Sequence, residues 1–154
     1  MKIALTDAER LMREWPEDLR RAVGERRLIE LALEAAHIIG EGLPRSVAMA
    51  ADQPSPRMLL TLLTYCYAAG IYASEDIEWE SESDAGARYI CAKVPPEQDT
   101  VRRFRRANRP WVEACLAWVY GQAFKSDATG PVVAAIVREK VELAILADSA
   151  TADH

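Results

Sequence analysis

Histidine is nearly missing from this chain, at two residues of 154, and cysteine is scarce at three. Cys66, Cys91 and Cys115 are dispersed with no CxxC spacing. That excludes a disulfide framework and a thiolate metal cluster and points to reduced thiols in a cytoplasmic protein. Long apolar runs are also lacking. The longest, "LLTLLTYCYAAGIYA" at 59–73, is 15 residues and carries two Thr, short of the roughly 18–20 apolar residues of a membrane span. Asp7, Glu9 and Arg10 stand where an export signal places its apolar stretch, so no such signal is expected. There is no glycine-rich phosphate loop, no nucleophile elbow and no internal repeat. His37 and His154 are the only imidazoles, and His37, beside Ile38 and Ile39, reads as a packed structural residue. No acid/base or nucleophile set can be assembled, so neither enzymatic activity nor a cofactor, metal or small-molecule substrate is expected.

What is present is a string of helices. Half the residues are apolar and 28% are charged, which suits a soluble globular protein with one buried core. The predicted fold is all-α, a single multi-helix unit. Its parts are an N-terminal helical region over 1–53, a central helical domain over 54–124, and a C-terminal helix with its tail over 125–154. Thr6 and Glu9 form a capping-box pattern, interrupted at Trp15-Pro16. Leu28, Leu31, Ala32, Ala35, Ile38 and Ile39 recur at helical spacing before Gly40. Ser55-Pro56 opens the most hydrophobic helix, which closes at Gly70 and belongs at the centre of the core. Ser74 and Asp84 are candidate N-caps of two further helices, and Asp99 of a third. Pro110 is expected to end or kink that third helix. Trp111 to about Phe124 and Pro131 to Leu146 form the last two, and the tail after Asp148 is expected to fray. Tyr65, Tyr67, Tyr72, Trp79 and Tyr89 sit at helical spacing and read as core or interface rather than base-stacking residues. The final helix is apolar on more than one face, the mark of a buried helix or of one that pairs with another subunit.

The segment "TVRRFRRANRP" at 100–110 carries five arginines in a chain of net charge −5, leaving −10 on the remainder. A generic polyanion binder is not built that way, so any contact with nucleic acid must be local. At about 100° per residue, Arg102, Arg103, Arg105, Arg106 and Arg109 fall on one arc of roughly 160°, opposite Val101 and Phe104. Like charges on one helix face repel, so an opposite charge is expected nearby. The candidates are external phosphates, which suit the planar guanidinium fork, and the internal run "SEDIEWESESD" at 74–84, with six acids and no basic residue.

The stretches "SPRMLLTLLTYCYAAGIYASEDIE" and "ARYICAKVPPEQDTVRRFRR" together resemble the N-terminal domain of insertion-sequence transposases of the DDE class. The resemblance spans residues 54 to 124 and is carried by Pro56 to Leu60, Tyr65, Tyr67, Gly70, Ser74, Ile77, Glu78, Arg88, Tyr89, Ile90, Pro96, Thr100, Phe104, Arg105 and Arg106. It implies a DNA-associated domain with a helix–turn–helix-like pair at 85–92 and 99–109. The family's RNase H-like catalytic domain has no counterpart among residues 125–154, so no transposase chemistry is expected. The chain departs from the family pattern after Ser74, where Glu75 and Asp76 replace the usual basic residues. The function expected is non-catalytic DNA binding through Arg102, Arg103, Arg105, Arg106 and Arg109. The alternative is a protein-interaction module that associates with itself or with a transposase.

Overall fold

The computed structural model describes residues 16–43, 54–92, 94–125 and 129–152, with side chains through Ser149. Within these residues the chain forms helices α1 (Leu19–Val23), α2 (Glu25–Ile39), α3 (Pro56–Ala68), α4 (Ser74–Ser83), α5 (Ala85–Cys91), α6 (Gln98–Phe124) and α7 (Pro131–Ala152). A 3-10 turn, Gly40–Gly42, follows α2, and the described residues include no strand. The Thr6–Glu9 capping pattern and the junction at Trp15 lie outside them.

The hub is α3. Ser55 Oγ accepts from the Met58 N–H at 3.1 Å and Pro56 occupies the first helical position, so the start is capped and preset in φ. Every residue from Leu59 to Ala69 is buried. Its two threonines fit there because each hydroxyl donates to the helix's own backbone, Thr61 to Arg57 O and Thr64 to Leu60 O. Gly70, at φ +83°, ends the helix, and the Ile71 N–H returns to Cys66 O at 2.8 Å. This left-handed closure is open to glycine at little cost.

Against α3 pack α2, α5, α6 and α7. From α2 the inward stripe is Leu28, Leu31, Ala32, Ala35 and Ala36, the spacing of a one-sided amphipathic helix. His37 lies outside that stripe and is exposed, as is Ile38, so the packed role expected for His37 is not realised. Asp84 caps α5 as anticipated, accepting from the Ala87 N–H at 2.9 Å and also from Tyr65 Oη at 3.1 Å. Arg20 of α1 approaches the same carboxylate at 3.6 Å. One aspartate thereby joins α1, α3 and α5.

α6 and α7 complete the core. The helix continues through Pro110 but bends there: Asn108 leaves helical geometry, at φ −128° and ψ 26°. Proline lacks the N–H that would bond to Arg106 O four residues back, and at the bend the Asn108 side chain donates to Phe104 O at 3.1 Å. α7 buries Val133, Ile136, Val137, Val141 and Ala144. It runs on to Ala152, past the point at which fraying was expected. The described residues contain no helix long and apolar enough to cross a membrane.

Candidate nucleic-acid interface

α6 starts at Gln98 rather than at an Asp99 cap. Its N-cap, Glu97, makes no side-chain capping bond. The Gln98 N–H is satisfied instead by Glu78 Oε2 of α4 at 2.7 Å. An acid from the 74–84 run therefore sits at the positive end of the helix. Among the described residues no ion pair joins that acidic run to the five arginines. The run neutralises the start of the helix, not its guanidiniums.

The five arginines divide into three kinds. Arg105 is 7% exposed, contrary to the outward position expected for it. Its Nη1 lies 2.6 Å from Asp148 Oδ2 and also donates to Tyr67 Oη at 3.4 Å. Burial works against its charge, but the contacts with Tyr67 and Asp148 outweigh it and hold its pKa above the usual arginine value. Asp148 is itself buried, and its second task explains why. Its carboxylate accepts from Ser74 N at 2.7 Å and from Ser74 Oγ at 2.8 Å. Ser74 is thus the first residue of α4, not its cap, and the capping group comes from α7.

Arg102 and Arg109 are half-exposed and locally paired. Arg102 donates to Asp99 Oδ1 at 2.6 Å and to the Gln98 side chain. Arg109 meets Glu113 Oε1 at 2.6 Å, with Glu142 of α7 at 4.0 Å. Arg103 and Arg106 are exposed, and among the described residues neither has a carboxylate in ion-pair range. Arg103 Nε makes only a long 3.4 Å bond to Asp99 O.

A cleft of about 510 Å³ opens between α6 and α7. Arg102, Arg105, Arg106 and Arg109 line one side, and Ile145 and Asp148 the other. Arg103 is outside it. α5 precedes α6 in the order of the expected pair, and α4 packs alongside both.

Two buried charged residues of α7, only one of which lines the cleft, escaped the sequence reading. Asp148 and Lys140 both lie in register with the apolar stripe of α7, Val133, Ile136, Val137, Val141 and Ala144. A charge in a buried register needs a partner. Lys140 is buried, and its Nζ donates to Glu17 O at 3.0 Å, Tyr67 O at 3.1 Å and Tyr72 Oη at 3.0 Å. The ammonium also stands 5.3 Å from the Tyr72 ring centroid. Burial draws its pKa down to about 8, against the raising influence of Glu17, Asp18 and Glu139.

Among the described residues no group of His, Cys, Asp and Glu is placed to hold a metal ion. In comparisons with known proteins, the chain matches no family model, no curated protein and no solved structure.

Proposed function

We propose that this chain is a non-catalytic, transposase-related DNA-binding protein that holds backbone phosphates on the solvent side of α6. The observation that supports this reading is the cleft lining, with four guanidiniums on one side of a chain that is otherwise acidic. Arg106 and Arg103 reach water and have no carboxylate partner among the described residues. The pairs of Arg102 with Asp99 and Arg109 with Glu113 are half-exposed. Such pairs are worth about 0–1 kcal/mol, little enough for a phosphate to displace the carboxylate. Arg105 stays with Asp148 and fixes the helix in place.

The contact set is therefore Arg102, Arg103, Arg106 and Arg109 rather than all five arginines. Two to four phosphate contacts give a log-affinity against log-salt slope of about −2 to −3.6. Fluorescence anisotropy with two unrelated duplexes across a salt series tests this. Joint Arg103→Gln and Arg106→Gln replacement should weaken both duplexes alike, since phosphate contacts carry no sequence information. A slope near zero, or no binding at low salt, rules the proposal out.

A second reading is favoured by exposed aromatic surface: Trp79 is 68% and Tyr89 70% exposed, and Leu146 of α7 is exposed as well. It assigns the chain a protein-interaction role, with itself or with a transposase. Light scattering beside a gel shift separates the two: a stable oligomer indifferent to DNA favours the second reading, and a monomer that retards DNA favours the first.

A further inference from the structure

We propose that the cleft between α6 and α7 is a discrete binding site for a free oxyanion of the phosphate class, able to take a diphosphate. This deepens the nucleic-acid reading and rests on the same guanidiniums. Arg102, Arg105, Arg106 and Arg109 follow one another at i, i+3, i+4 and i+7, which brings them to one side of a helix. The bend at Asn108 falls between the last two. Facing them, α7 offers Ile145, Asp148 and Ser149, and from outside the lining Glu142 of α7 comes to 4.0 Å of Arg109. Asp148 is already committed to Arg105 and to Ser74. The lining thus holds three further guanidiniums with no lining carboxylate left for them.

The cleft's shape argues for a compact ligand as well as a polymer. Its volume of about 510 Å³ exceeds what one phosphate fills, and the buried Arg105–Asp148 pair forms part of its lining. A carboxylate ligand presents two oxygens to one fork and gains little over the Asp99 and Glu113 carboxylates already present. A diphosphate carries several acceptor oxygens and more than one charge, enough to engage Arg102, Arg106 and Arg109 together. Arg103, outside the cleft, takes no part.

The test is thermal unfolding of the full chain titrated with inorganic pyrophosphate at constant ionic strength, with citrate as a second arm. Saturable stabilisation by pyrophosphate, exceeding that by citrate, is expected. Combined Arg106→Gln and Arg109→Gln replacement should weaken it by at least about tenfold, because a hydrogen bond to a charged group contributes about 1.5–3 kcal/mol. Arg103→Gln should leave it unchanged. Non-saturating stabilisation, equal stabilisation by citrate, or a loss in Arg103→Gln matching that in Arg106→Gln overturns the site. The duplex titration separates the two readings. Pyrophosphate binding without DNA binding leaves this site standing and removes the nucleic-acid reading, and the reverse result does the opposite.

Discussion

Arg105 and Asp148 meet at 2.6 Å beneath the surface, tying the first half of α6 to the far end of α7. The same carboxylate holds the first N–H of α4, so three helices depend on one residue. Removing either partner leaves a buried charge, at a cost of about 3–5 kcal/mol. Arg105→Gln and Asp148→Asn should each lower the urea midpoint strongly. The double variant should lose less than the sum of the two, since the single changes share one interaction. Additive losses would show that the pair is not coupled.

Gly86 is required by the approach of α5 to its neighbours. A Cβ there would lie 2.5 Å from Tyr65 Oη and 2.9 Å from Glu25 Oε1. Tyr65 is fully buried and bonded to Asp84, so it has no room to yield. Gly86→Ala is expected to destabilise by about 1–3 kcal/mol through overpacking, despite alanine's better helix propensity. Thermal unfolding checks this, and a stabilised variant would contradict the close approach.

Lys140 gives a pH signature of defined sign. It titrates near 10.5 in the unfolded chain and near 8 in the fold. Between those values the unfolded state binds the extra proton, so this group adds stability as pH rises from about 8 to 10.5 and adds none below 8. The groups around it are Glu17, Asp18, Tyr72, Tyr120 and Glu139. Buried thiols act in the opposite sense above pH 9, so the lysine contribution is read as the difference between wild type and Lys140→Met. That difference should shift toward wild type between pH 8 and 10.5 in urea titrations. A difference independent of pH would refute the depressed lysine.

Burial pushes the Cys91 and Cys115 thiols up to about 12, and Cys66 well above its ordinary value. The nucleophile is the thiolate, so all three should resist a disulfide reagent in the folded protein. Labelling should proceed at the global unfolding rate and accelerate with urea. Rapid reaction of any one of them in the native state would show that its helix opens locally.

Much of the helical frame was legible because it is written in local chemistry: Ser55-Pro56, Gly70 and Asp84 each set a helix end with atoms a few residues away. The centrality of α3 followed from its apolar circumference. What failed was long-range. The arc through Arg102, Arg103, Arg105, Arg106 and Arg109 reports which residues share a face, but not where a neighbouring helix covers its edge. Arg105 is covered, and nothing within 100–110 distinguishes it from Arg106. Ser74 looked like a cap because hydroxyls commonly are, while the group that fills that role lies at Asp148. The available signal was on α7, where a lysine and an aspartate occupy apolar register. His37 was misplaced for the converse reason, since its apolar neighbour Ile38 lies on the solvent side of the helix and only Ile39 packs against the core.

The polar ties of α7 carry a consequence for synthesis. Ribosomes deliver this helix after every segment it fastens: Glu17, Tyr67, Tyr72, Ser74 and Arg105 all emerge before Lys140 and Asp148. A nascent chain stalled near Lys125 holds an uncapped α4 and a guanidinium without its counterion. The ties that hold α4 and α6 in place therefore close once α7 has been made.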